Sequence, residues 1–97
     1  MTNKKYISGR KFEYEVMEHY KREGYNVFRC AGSHSKADVI CIPPKFGLRL
    51  AIVVQCKKYS KTKPKPEKEF IEWDINAIKF WATKKKGQKG FNREYIR

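Results

Sequence analysis

Apolar residues fall along this chain in two rhythms. Phe12, Val16 and Tyr20 recur every four residues, which lines one face of a helix over residues 9–23. Ser8 stands where an N-cap is wanted, and Gly24 stands where a helix ends. Residues 25–30 then alternate, with Tyr25, Val27 and Arg29 on one face of a strand and Asn26, Phe28 and Cys30 on the other. Ala31-Gly32-Ser33-His34-Ser35-Lys36 is small and polar, as a loop is. Asp38-Val39-Ile40-Cys41-Ile42 reads as a short buried strand, and Pro43-Pro44-Lys45-Phe46-Gly47 as a turn. Over residues 49–57, Leu50, Ala51, Ile52, Val53 and Val54 follow one another, the pattern of a strand buried on both faces.

A basic, proline-containing loop follows over residues 59–66. The spacing then predicts a second helix over residues 67–86, with Glu67 and Glu69 in its first turn and Lys84, Lys85 and Lys86 in its last, an order that suits the helix dipole. Gly87 would end it, and residues 91–96 would form a last strand. The expected order is α-β-β-β-α-β. This helix would carry two apolar stripes, one of Phe70, Ile71, Ile75, Ile78 and Ala82 and another of Trp73, Ala77 and Phe80. A helix on one layer buries one face. Either the core stripe is wide and some aromatics are exposed, or the Trp73–Phe80 stripe meets a second subunit.

With 97 residues and no repeat or linker, the chain is expected to be one domain over 1–97. A domain this small buries a modest share of its surface, so a homodimer would help its stability. Apolar residues make up 40% of the chain and are spread along it, which argues against a disordered basic tail. The 23 Lys and Arg against 10 Asp and Glu give a net charge of +13, which points to a polyanionic partner. No run approaches the roughly 18 apolar residues of a membrane span, and no apolar stretch follows the first charges as in a signal peptide. Cys30, Cys41 and Cys56 form no Cys-x-x-Cys pair, so free thiols in a reducing cytosol are expected, whether cellular or virus-encoded.

Two features converge on one place. The loop through Gly32-Ser33 delivers Asp38 at the start of one strand, and Val53-Val54-Gln55-Cys56-Lys57 ends another. If these strands are antiparallel neighbours, Asp38 meets the end that carries Gln55 and Lys57, which project to one face. Such a cluster suits phosphodiester cleavage. Asp38 and the Cys56 backbone carbonyl offer hard oxygens for magnesium, for which manganese would substitute. Lys57 can orient a water or stabilise charge growing on a phosphate. Glu13, beside Phe12 and Val16 on the first helix, can reach the same metal. Taken singly, each charged residue reads as surface; it is their spacing and strand context that argue for a site.

The pattern Glu13, Gly32-Ser33, Ala37-Asp38-Val39-Ile40, Gln55-Cys56-Lys57 resembles the PD-(D/E)xK nuclease superfamily. Within it, the pattern resembles the archaeal-type Holliday junction resolvases and their bacterial and phage relatives. Gly9 four residues before Glu13, and Glu23-Gly24-Tyr25 leading into Val27 and Arg29, extend the likeness over about residues 8–59. The resemblance implies a restriction-endonuclease-like α/β fold with an αβββαβ core and a central mixed sheet flanked by helices. It implies Glu13 and Asp38 as metal ligands, Lys57 as the catalytic lysine and Ser33 near the scissile phosphate. Gln55 departs from the pattern, because the usual acid two residues before the lysine is an amide here. An amide oxygen can still ligate a metal but brings no charge. Val-Gln-Cys-Lys runs are also similar to those of Mrr-like restriction nucleases; the Gly-Ser-His-Ser loop favours the resolvase side.

The leading expectation is an endonuclease acting on branched DNA, with a two-fold dimer supplying the paired cuts that a four-way junction needs. Arg10, Arg29, His34, Lys36, Lys58, Lys61, Lys63 and Lys65 are expected to contact DNA, with the run Lys84-Lys85-Lys86 adding phosphate binding. The alternatives are a restriction- or repair-type nuclease cutting duplex DNA, and a non-catalytic DNA-binding module on the same fold.

Overall fold

A computed structural model describes residues 4–30, 36–44 and 49–97. Helix α1 spans Lys4–Arg22, and strands β1 (Asn26–Arg29), β2 (Val39–Ile42) and β3 (Ile52–Tyr59) follow. A single-turn helix α2 (Lys68–Ile71) leads into β4 (Ile78–Lys85) and β5 (Asn92–Ile96). The five strands form one sheet in the order β1-β2-β3-β4-β5. β3 and β4 are parallel and the other neighbours antiparallel, so the sheet is mixed. The parallel pair requires a crossover, which residues 60–77 make over the face opposite α1. The expected α/β architecture stands, and the strand it did not foresee is β4, which lies between β3 and the expected last strand.

α1 begins at Lys4, earlier than its apolar spacing suggests, so Ser8 lies inside the helix and is not its cap. Gly9 does not stop it, since an interior glycine costs only about 1 kcal/mol. The other end is as expected. Gly24 takes φ +96, its N–H donates to the Lys21 carbonyl, and the Tyr25 N–H reaches back to the Tyr20 carbonyl. That pair of bonds is the Schellman closure that glycine permits.

The second helix is where sequence and structure part. Only Lys68–Ile71 is helical, and by Ile78 the chain is a strand. The segment has two readings because Ile78, Phe80 and Ala82 also alternate with Lys79, Trp81 and Thr83. Side chains of Ile, Phe, Trp and Thr favour a pleated surface, and pairing with β3 on one side and β5 on the other decides the matter. The two stripes expected of one helix are mixed by this change, and each face of the sheet takes members of both. Ile78, Phe80 and Ala82 face α1, joining Phe12, Val16, Met17, Tyr20, Val39, Cys41, Ile52 and Val54. Trp73, before the strand, packs with Phe70, Val53 and Ala37 on the other face. The helical stripe that would have put Trp73 and Phe80 on a partner surface does not form: the Trp73 ring lies tilted 6.5 Å from Phe70, and Phe80 is on the α1 face of the sheet, 6.0 Å from Tyr95.

The face opposite α1 is more polar. Lys79 is buried there, and its Nζ donates to the carbonyls of Phe70, Ile71 and Trp73. Phe70 and Ile71 end α2 and Trp73 follows it, so Lys79 serves carbonyls at and just past the helix C-terminus. One lysine thus secures α2 against the sheet.

Candidate active site

Because β2 and β3 are antiparallel, the start of β2 at Val39 meets β3 at Val54, one residue before Gln55, as expected. The β2–β3 pairing ends at Val39 and Val54, and Asp38 completes it. Its N–H donates to the Val54 carbonyl, and its Oδ2 accepts the Cys56 N–H at 2.8 Å. The side chain so stands in for a strand partner that the ladder no longer supplies. This fixes a half-buried carboxylate beside the Gln55-Cys56-Lys57 peptides.

Gln55 is buried on the face of β3 opposite α1, and its Oε1 accepts a long hydrogen bond, 3.4 Å, from the Glu67 N–H. Lys57, two residues on, shares that face and is exposed. Glu13 projects from α1, where its Oε1 accepts from Arg29 Nε at 2.9 Å, both side chains being mostly shielded. The Cys56 thiol is pushed well above its usual value, first by burial and then by Asp38 and Glu13, so it is no nucleophile. Burial likewise pushes Cys41 up to about 12.

Several of these charges are felt at Asp38. Burial raises the Asp38 carboxyl above the usual carboxylate range; the Cys56 N–H opposes this; Glu13 and Glu67 raise it further, and Lys57 lowers it. A hard oxygen donor crowded by other carboxylates is what a divalent cation relieves. Among the described residues no three His, Cys, Asp or Glu side chains gather tightly enough to hold a metal unaided. The oxygens that remain near Asp38 are one carboxylate, the Gln55 amide and backbone carbonyls, which are hard donors.

Glu67 is the residue that sequence reasoning missed. It was placed as a dipole match in a helix turn, yet it carries a charge felt at Asp38. The one available signal was positional. A crossover that leaves the end of β3 and returns over the sheet must begin its helix close to that end.

The sequence-expected DNA contacts fall into three groups. Lys36, Lys61 and Lys65 are exposed, Lys36 with its Nζ 5.7 Å over the Trp73 ring, and Arg10 is exposed on α1. Lys58 is half-buried. Arg29 and Lys63 are ion-paired, to Glu13 and Glu94, and Arg29 also sits 5.8 Å over the Tyr14 ring. Ser33 and His34 lie outside the described residues. The parallel register of β3 and β4 sets Lys57, Lys58, Lys84 and Lys85 at their shared carboxyl ends, with Lys86 bonded to the Tyr59 carbonyl just beyond. Lys84 pairs with Glu15. Carboxyl ends of parallel strands are where open α/β sheets bind ligands. An open cleft lined by Glu15, Glu18, His19, Arg22, Gly90, Phe91 and Arg93 lies between the end of α1 and β5; none of the site residues lines it.

Among the described residues no helix is long and apolar enough to cross a membrane. No curated protein matches the chain. The family model described as restriction endonuclease, Mrr_cat, matches residues 5–91, from the start of α1 past the end of β4 and across the whole Asp38–Lys57 site. A sheet of this topology, a carboxylate and a lysine at the meeting of β2 and β3, and that match agree: the chain belongs to the Mrr_cat restriction endonuclease family of the PD-(D/E)xK nuclease superfamily, whose members are nucleases acting on DNA.

Proposed function

We propose that the protein is a magnesium-dependent DNA endonuclease whose phosphodiester hydrolysis is carried out at Asp38 and Lys57. The observation that carries this reading is the Asp38 carboxylate held by the Cys56 N–H at 2.8 Å, beside the strand end that presents Lys57. Asp38 offers the carboxylate oxygen that Cys56 leaves free, Glu13 the oxygen that Arg29 leaves free, and Cys56 and Gln55 a backbone carbonyl and an amide oxygen. When bound, a magnesium ion, or manganese in its place, supplies charge neutralisation at the phosphate and a more acidic water. Lys57, whose charge lowers the Asp38 carboxyl, stabilises charge that grows on the phosphate. The lysines at the ends of β3 and β4 and in residues 58–65 hold the DNA backbone without reading sequence.

Family membership favours duplex DNA as the substrate. A second reading, resolution of four-way junctions by a homodimer, rests on the resemblance of Gly9, Glu13 and the Gly32-Ser33 to Asp38 run to junction resolvases. The experiment that decides offers labelled four-way junction and linear duplex of the same sequence to the purified protein, with magnesium and with chelator. Magnesium-dependent cuts in either substrate uphold the endonuclease reading. Paired symmetric cuts confined to the junction select the second reading. No cut in either, with DNA bound, leaves a binding module and ends both.

A further inference from the structure

We propose that Phe28 is a stacking platform for a DNA base that has left the duplex stack, placed beside the Asp38–Lys57 edge. The proposal rests on the nuclease reading above and names the form of DNA that the site prefers: a duplex with unpaired nucleotides next to the cut.

The register of the sheet sets the place. β1 is an edge strand, and its Val27 packs on the α1 side, opposite Cys41. Phe28 therefore projects to the other face, the one that carries Gln55 and Lys57, where it pairs with Ile40. Two residues further on, the Cys30 N–H donates to the Asp38 carbonyl. Phe28 thus stands about 7 Å from the Asp38 row, the rise of two strand residues. Ile42, two residues after Ile40 on β2, shares the same face.

This part of the face is left open. Phe70 of α2 covers Val53 and Ala37, and Ile40 and Trp73 pack at the margin of that cluster. Beyond Ile40 the cover ends: Phe28 is 58% exposed and Ile42 41%. Among the described residues no other ring and no cation stacks on Phe28. A bare aromatic on an edge strand adds little to folding and invites aggregation, so its use lies in binding.

The charge around the ring selects the ligand. Asn26, Phe28, Ile40 and Ile42 carry none, and Lys36 stands at the Trp73 margin with its Nζ 5.7 Å over that ring. An exposed π-face near a lysine matches a nucleotide, which joins a flat base to a phosphate. A second copy of the chain fits less well. Each copy carries a net charge of +13, and these four side chains offer no carboxylate to offset the other's lysines. Bases inside a duplex keep their faces against one another, so only a base out of the stack can lie on Phe28.

The test is DNA binding in chelator, which makes it independent of metal and of cleavage. Two labelled substrates are titrated: a full duplex, and the same duplex with a short unpaired stretch carrying 2-aminopurine, whose fluorescence rises when it leaves neighbouring bases. The unmodified chain should bind the second more tightly and raise the probe signal. Phe28→Ala, its fold confirmed by circular dichroism, should lower the ratio of the two affinities about tenfold, the scale of one lost base–aromatic stack. Phe28→Trp should keep the ratio, and Phe28→Leu, apolar but without a π-face, should lose it. No preference in the unmodified chain, or a ratio and probe signal unmoved in Phe28→Ala, overturns the proposal. So does a Phe28→Leu protein that behaves like the unmodified one, because apolar contact alone would then suffice. A dimer of the unmodified chain that Phe28→Ala splits on sedimentation assigns the ring to a subunit contact and overturns it too. The nuclease reading stands or falls separately, on magnesium-dependent cutting of the same two substrates by the unmodified chain.

Discussion

The two faces of the sheet are built on different terms. Against one lies α1, nineteen residues long, burying Phe12, Val16 and Tyr20 almost completely on Val39, Cys41, Ile52 and Val54. Against the other lies a helix of four residues, with Phe70 as its one buried side chain and Lys79 securing its carbonyls. The first face is held by apolar area, which is non-directional and tolerant of detail. The second is held by a few directed hydrogen bonds, and Gln55, Lys57 and Glu67 belong to it. Polar anchoring costs stability but leaves charged groups where a phosphate and an ion can reach them. Stability therefore lives on the α1 side, and the proposed chemistry lies at the edge where the second face opens.

The largest effect should come at that edge. Asp38→Asn is expected to remove cleavage to background while DNA binding stays nearly unchanged, since binding draws on many lysines; a gel shift and a nicking assay on the same preparation check it. On the α1 face, Phe12→Ala should cost roughly 3–5 kcal/mol of folding free energy, a large part of a small domain's total. Urea unfolding measures this, and a loss under 1 kcal/mol would mean that α1 is not the main source of stability. Lys57→Ala should slow cleavage by about a hundredfold, the scale of other groups that stabilise transition-state charge. Its unfolding midpoint should not move, because Lys57 is exposed.

The polar face answers to Lys79→Met, which keeps most of the side chain's length and removes the donor. With carbonyls of Phe70, Ile71 and Trp73 left short of partners, a loss on the order of 2 kcal/mol is expected. A neutral result would show that water serves α2 as well as the lysine does. The smallest effect concerns pH. Asp38 has its folded value raised above 3.8, so the stability it contributes is full below that value and is lost as pH rises through the raised one. Metal-free Asp38→Asn should lack that decline and exceed the unmodified protein in stability at neutral pH. Thermal melts across pH 3 to 7 in the presence of chelator show this as a gap that opens with rising pH.

The meeting of Asp38 with Gln55 and Lys57 was legible because strand alternation and an antiparallel neighbour fix it without knowledge of the rest. Gly24 was legible for the same local reason: a left-handed residue after a helix favours glycine. The stretch after Ile71 was not legible. Its apolar spacing satisfies both a helix and a strand, and the choice falls to β3 and β5, which are distant in sequence. Glu67 was hidden because its nearness to Asp38 comes from the crossover, and no spacing along the chain encodes that. The buried Lys79 looked like one basic residue among 23 until its three carbonyl partners were known.

The central claim, that the Asp38–Lys57 edge is a metal-dependent nuclease site, is tested most directly on the unmodified protein. It would be stripped with chelator, incubated with supercoiled plasmid, and then given magnesium or manganese. The account predicts no nicking in chelator and prompt nicking once either ion is added. Nicking that persists in chelator, or plasmid left intact with both ions present and DNA bound, would contradict it.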